Sequence, residues 1–156
     1  FCFTLAFTGA RISEVLALTV ERIDANDEAV VFRTLKQRGN LVFRSVPVPH
    51  NLALLLARCS TAPNERIFPW GRTTAWKAVK AVMRVAGIAE GLCQPKALRH
   101  AFAVEAGQNG VPLNVVQRWL GHARIETTAI YANALGPEER NLAMKTWSGS
   151  DEIRLP

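Results

Sequence analysis

Apolar side chains recur at helical spacing along most of this chain. The opening stretch FCFTLAFTGA is largely apolar and reads as a core helix. In residues 10–18, ARISEVLAL, Ile12, Val15 and Leu16 fall on one face with Thr19 beside them, and Thr8-Gly9 stands where a cap for that helix belongs. The period then shortens to two. Residues 29–35 (AVVFRTL) and 41–49 (LVFRSVPVP) read as two β-strands around KQRGN, a hairpin with Gly39-Asn40 at its turn. Pro47 and Pro49 end the second strand, because proline has no N–H to give a sheet ladder.

Helical patterns then resume. Residues 51–59 (NLALLLARC) form a short helix, 61–71 a loop, and 73–87 an amphipathic helix stopped by Gly87. A helix from Pro95 ends near Gly107 or Gly110, and residues 112–121 repeat the arrangement with Pro112 at the first helical position and Gly121 just past the end. Two further short helices, 123–134 and 137–147, precede a frayed tail. The pattern predicts a single mainly α domain over residues 1–156 with a small antiparallel β-hairpin, an α+β fold.

Composition narrows the class. The 156 residues suffice for a hydrophobic core without staples, and 49 % hydrophobic with 21 % charged residues is ordinary for a globular chain. No apolar run reaches the roughly 18 residues of a membrane span, and the apolar start lacks a basic n-region, so neither a membrane segment nor a signal peptide is expected. A first residue other than Met, inside an apolar pattern, predicts a piece of a longer polypeptide. Cys2, Cys59 and Cys93 are odd in number and far apart, which suits neither a disulfide framework nor a zinc site and points to a reducing, cytoplasmic setting. His50, His100 and His122 show no H-x-x-x-H spacing and no carboxylate cluster, so chemistry without metal or other cofactor is expected.

Charge adds a partner. The net charge is +6, and between Ala29 and Val104 twelve basic residues face only two acids, Glu65 and Glu90. Eight of the twelve are arginine, the better phosphate fork, which favours a polyanion over a merely solvated surface.

The candidates for chemistry, in chain order, are Arg11, Lys36, Arg99-His100, His122 and Tyr131, the only tyrosine. Each alone has an ordinary reading: a solvated helix residue, a polar turn, a C-cap histidine, a packing aromatic. Together they are the set that metal-free phosphoryl transfer needs. A phosphodiester attacked by an oxygen nucleophile gathers negative charge, which two arginine forks and an imidazole can meet. A tyrosine with a pKa near 10 is only about 0.1 % ionised at pH 7, and surrounding cations lower that barrier. A lysine on a hairpin suits protonation of the leaving 5′ oxygen, worth on the order of 10²–10⁴ in rate.

TGARISEVLAL resembles the first arginine box of the tyrosine recombinases, the phage integrase family. KALRHAFA resembles their second box, and LGHARIETTAIYAN their third, in the family's order and spacing from about residue 1 to residue 135. The resemblance implies the tyrosine recombinase catalytic-domain fold and a site-specific recombinase that cuts and rejoins duplex DNA through a 3′-phosphotyrosyl bond, without metal or ATP. Arg11 and Arg99 would clamp the scissile phosphate, His122 would donate a further hydrogen bond, Lys36 would protonate the leaving 5′ hydroxyl, and Tyr131 would attack. Glu14 would be the supporting acid and His100 a more structural neighbour. An N-terminal core-binding domain elsewhere in the protein is implied, with the first part of the catalytic domain also expected to be missing from this piece, as is a homotetramer on DNA joined through residues 137–147, with Leu142, Met144 and Trp147 either at the contact or packed within the chain. The isolated fragment is expected to be a monomer.

Lys96 departs from the family, whose second box opens with histidine. A histidine can take the tyrosine proton, whereas a lysine at pH 7 is charged and cannot. Either Lys96 is a third fixed cation, paired with Glu14, or the site is slow or inactive. Three other readings stay open: a catalytically impaired DNA-binding module of the same fold, a type IB topoisomerase-like enzyme, and a regulator with residues 104–122 as helix-turn-helix.

Overall fold

A computed structural model of the chain describes residues 1–34, 42–59 and 62–122. The elements run α1 (Cys2–Thr8), α2 (Ile12–Leu16), β1 (Ile23–Asp24), β2 (Ala29–Thr34), β3 (Val42–Pro47), α3 (His50–Ala57), α4 (Arg72–Val85), α5 (Pro95–Gln108) and α6 (Leu113–Leu120), with 3₁₀ turns at Val20–Arg22 and Glu90–Leu92. The expected mainly helical fold with a small antiparallel β element is what the chain adopts.

The sheet has three strands in the order β1-β2-β3, both pairs antiparallel. Val30 faces Val46, and Phe32 faces Arg44, across the β2–β3 ladder. Val30, Phe32, Arg44 and Val46 are buried, while Arg33, Phe43 and Ser45 are exposed, the alternation a half-covered sheet imposes. The β1 strand was not anticipated, because two residues carry too little pattern to register. It forms through the pairs Ile23↔Val30 and Asp24↔Ala29.

Two apolar clusters hold the helices. The larger joins Val15 and Leu18 beside α2, Phe32 and Val46 of the sheet, Leu56 of α3, and Ala75 and Val79 of α4. The smaller lies between α5 and α6, around Ala103, Ala106, Val116 and Leu120. The helix over residues 73–87 appears as α4, starting one residue earlier, and that expected from Pro95 appears as α5, ending at Gln108.

Three expectations need correction. The helix placed over residues 10–18 spans only Ile12–Leu16. Thr8 and Gly9 do not begin it: Thr8 ends α1, and Gly9 (φ +59°) is the left-handed residue that closes α1, its N–H bonded to Leu5 O at 3.0 Å. Pro112 stands at the N-cap of α6 rather than at its first helical position, while Gly121 (φ +64°) ends that helix as expected. Lys36 and the hairpin tip, Tyr131, the two helices over 123–134 and 137–147, and the tail lie outside the described residues.

Candidate active site

Arg11 occupies the N-cap of α2 in an extended conformation (φ −73°, ψ 148°). Arginine is a poor cap, and Glu14, three residues on, supplies what it lacks. The Glu14 carboxylate accepts the Arg11 backbone N–H at 2.7 Å and the Arg11 Nη1 at 2.9 Å. Glu14 is 3 % exposed, although it is charged and sits on a helix whose other buried residues are apolar.

A second arginine accounts for that burial. Arg44, on the inward face of β3 and 5 % exposed, donates from Nη2 to Glu14 Oε2 at 2.7 Å and from Nη1 to Glu14 Oε1 at 3.2 Å. Its Nε donates to Trp119 O at 2.7 Å, and its guanidinium lies 5.1 Å from the centroid of the Phe32 ring. Burial alone would raise the Glu14 carboxyl, but hydrogen bonds and charge from Arg44, together with those from Arg11, hold it below the usual carboxylate value. Sequence reasoning missed Arg44, and its pairing of Glu14 with Lys96 is corrected here: the partners of Glu14 are Arg44 and Arg11. The signal was available in VFRSVPV, where Arg44 alternates with Val46 and Val48 on the inward side.

Arg99, in the second turn of α5, spans two helix ends. Its Nη1 donates to Gly9 O at 2.6 Å, at the end of α1, and its Nη2 to Leu120 O at 2.8 Å, at the end of α6. Those carbonyls have no partner within their own helices, so Arg99 satisfies them while they fix its guanidinium. Gly9 is required twice: its φ is positive, and a Cβ would come within 2.5 Å of the Phe102 ring and 2.8 Å of Leu120. Gly121 is required similarly, since a Cβ there would meet the Arg44 side chain at 3.0–3.2 Å.

His122 follows Gly121 and is half-buried. Its backbone N–H returns to Gln117 O at 3.2 Å, and Gln117 Nε2 donates to His122 O at 3.3 Å. Burial and the charges of Arg99, Arg11 and Arg44 push the imidazole pKa down to about 4, against a small opposing effect of Glu14. At neutral pH the ring is therefore uncharged and can still donate one N–H.

Arg11 and Arg99 line one cavity of about 300 Å³ with Ser13, Lys96, Arg72 and Trp76. Among the described residues no carboxylate lines it. It opens where α4 and α5 begin, and the positive ends of both helix dipoles add to its four cations. Lys96 is exposed at the second position of α5, where the dipole disfavours a cation, so helix stability does not explain it. His100, on the next residue after Arg99, is exposed and is not among the cavity-lining residues. The structure thus brings together Arg11, Glu14, Lys96 and Arg99 with His122 in their field. Arg72 and Trp76 were not anticipated, since nothing in the sequence spacing ties α4 to the boxes. Among the described residues no cluster of histidine, cysteine and carboxylate side chains could hold a metal ion. None of their helices is long and apolar enough to cross a membrane.

A crowd of fixed arginines around an acid-free cavity suits a phosphate group, and the chain's relatives are consistent with that. Tyrosine recombinase XerD of Mycobacterium tuberculosis is 34 % identical over 136 residues, covering 80 % of this chain and 43 % of that protein, so the chain spans less than half the length of this relative. Among solved structures, the catalytic domain of bacteriophage HP1 integrase is 27 % identical with a TM-score of 0.69, covering 92 % of this chain and 78 % of that one. XerH site-specific recombinase bound to its difH substrate shares the fold at 22 % identity and a TM-score of 0.71, covering 91 % of this chain and 43 % of that one. The model of the phage integrase family matches residues 2–136. That match takes in all three boxes and all but the first of the described residues, and the chain belongs to the phage integrase family.

Proposed function

We propose that this chain is the catalytic domain of a tyrosine-type site-specific recombinase that cuts and rejoins duplex DNA. The observation that carries the reading is the cavity in which Arg11 and Arg99, far apart in sequence, converge with Lys96, while a neutral His122 lies in the field of the two arginines. The substrate-bound XerH structure, which shares the fold, supports duplex DNA as the partner. In this reading Arg11 and Arg99 grip the non-bridging oxygens of the scissile phosphate, and His122 donates a hydrogen bond to the same oxygens. Tyr131 Oη attacks phosphorus and its proton passes to solvent. The new O–P bond leaves the DNA 3′ phosphate on the tyrosine as the P–O5′ bond breaks. Lys36 gives the departing 5′ oxygen its proton. Rejoining is the reverse, with a 5′ hydroxyl as the nucleophile. Lys96 acts as a third fixed cation that favours the phenolate. Assembly into a tetramer through residues 137–147 belongs to the same reading.

The test is a covalent adduct. Incubated with a pool of nicked duplexes of randomised sequence, the protein should give a denaturant-resistant protein–DNA species that Tyr131→Phe abolishes. Adduct surviving in Tyr131→Phe would remove the nucleophile assignment, and none in wild type would favour a DNA-binding module without activity. Relaxation of a supercoiled plasmid lacking a specific site would instead indicate topoisomerase chemistry.

A further inference from the structure

Resting on that reading, we propose that Arg44 is a positioning residue for the phosphate cavity, tying the β2–β3 hairpin to both walls of the site. One wall is Arg11. Arg44 grips both carboxylate oxygens of Glu14, and Glu14 in turn holds Arg11 by its backbone N–H and its Nη1. The other wall is the end of α6. Arg44 Nε bonds Trp119 O, the carbonyl next to Leu120 O on which Arg99 rests, and Gly121 lies against the Arg44 guanidinium just before His122. One planar, five-donor fork thus contacts Glu14, which holds Arg11, and the backbone on either side of Leu120, whose carbonyl holds Arg99, just before His122. No point-charge lysine could make the same three bonds, because its donors radiate from a single nitrogen.

The location on β3 gives this fork a second consequence. Arg44 is two residues from Val42, which pairs with Thr34 at the last described rung of the hairpin. Lys36 lies in the sequence between those two residues. Arg44 is the side chain through which a shift of the strand reaches Glu14 and α6. A buried arginine kept only for stability would require partners, but not partners that hold or adjoin the supports of other site residues.

The test separates positioning from folding. Arg44→Lys keeps the charge and loses the bidentate grip. It should slow single-turnover cleavage of the nicked-duplex pool by about 100-fold, as expected when reacting groups shift by about 1 Å. Non-covalent affinity for the same DNA should change little, and the protein should stay folded at the assay temperature although its melting temperature falls. A cleavage rate near wild type would overturn the proposal, as would a loss that simply follows affinity or the fraction unfolded. Should Arg44→Lys fail to fold, Glu14→Gln with Arg44→Gln removes both charges and keeps a hydrogen-bonded pair. Wild-type cleavage in that double variant would overturn the role, and a slow but folded double variant supports it. Orthophosphate binding, followed by the His122 ring resonances, supplies a readout independent of cleavage. If wild type forms no adduct, the recombinase reading fails, but Arg44→Lys should still weaken orthophosphate binding, and unchanged binding would then refute the positioning role by itself.

Discussion

Neutralising Glu14 is the sharpest probe of how the cavity is built. In Glu14→Gln the side chain keeps its shape but loses its charge, and its amide nitrogen faces donors where an oxygen accepted them. Four contacts are affected: the Arg11 N–H at 2.7 Å, Arg11 Nη1 at 2.9 Å, and the two Arg44 contacts at 2.7 and 3.2 Å. Arg44, at 5 % exposure, becomes a buried cation without its counter-ion. Breaking a buried pair from one side costs about 3–5 kcal/mol. At about 2–4 °C per kcal/mol for a chain of this size, the melting temperature should fall by about 6–20 °C. Urea unfolding followed by circular dichroism gives the same quantity from the midpoint, with the slope unchanged if only stability has moved. The acid side of the profile carries an independent signature. Because the folded carboxyl lies below its unfolded value of about 4.3, its contribution is complete above that pH and disappears as pH falls through the folded value. Glu14→Gln should therefore lose stability at neutral pH and show a flatter acid limb than wild type. A loss below about 1 kcal/mol, the scale of an exposed pair, would show that Glu14 and Arg44 are not the buried brace described above.

Three further outcomes follow from the same geometry. The His122 ring should titrate near pH 4 by NMR, and stability should decline as pH drops from about 6.5 towards 4, a component that His122→Gln should remove. Saturating orthophosphate should move that midpoint upward, since an anion offsets the arginines; an unmoved midpoint would place phosphate elsewhere. Gly9→Ala should destabilise by about 2–4 kcal/mol, combining left-handed strain with a clash against Phe102, whereas Gly87→Ala, with φ +77° and open space around it, should show the strain alone. Lys96→His should slow adduct formation at neutral pH, because it removes the permanent charge proposed to favour the phenolate, and a rate kept or raised would mean that position 96 serves the tyrosine as a proton acceptor instead.

The sequence displayed the elements of this fold wherever the pattern was long. The amphipathic run that became α4 and the alternation that became β2 and β3 were both legible. What escaped was short or relational. Two residues of β1 cannot show a period, and the five residues of α2 were overextended because Leu18, buried beyond its end, continues the apolar pattern without continuing the helix. Arg11, Glu14, Lys96, Arg99 and His122 were each named in advance, yet how they are held was not. Gly9 looked like the start of the next helix, because sequence alone cannot say that its carbonyl will be taken by an arginine ninety residues away. Arg44 looked like one more surface cation on a basic hairpin. Its alternation with Val46 and Val48 marked the inward side, but only the pairing that sets it opposite Phe32, with Glu14 as its partner, shows what it meets there.

Arg11, Arg44 and Arg99 can be crowded together beside the cavity because helix ends and one shared carboxylate compensate their charge. Arg99 takes the terminal carbonyls of α1 and α6, and Arg44 takes another from α6, so both cations sit at negative dipole ends. Glu14 is the one buried acid among the described residues, and it is shared by Arg11 and Arg44. The His122 imidazole is held down first by burial and then by Arg99, Arg11 and Arg44, so the local field adds to desolvation in disfavouring one more positive charge. A cavity in that state attracts an anion strongly and gives up part of its strain when one enters. Binding of a phosphate and uptake of a proton by His122 are consequently linked, each favouring the other, most strongly between pH 4 and 6.5. In the proposed reaction the arginine part of that field would stabilise a phenolate, whereas the burial that also keeps His122 neutral would oppose one, so the arginines have to outweigh desolvation.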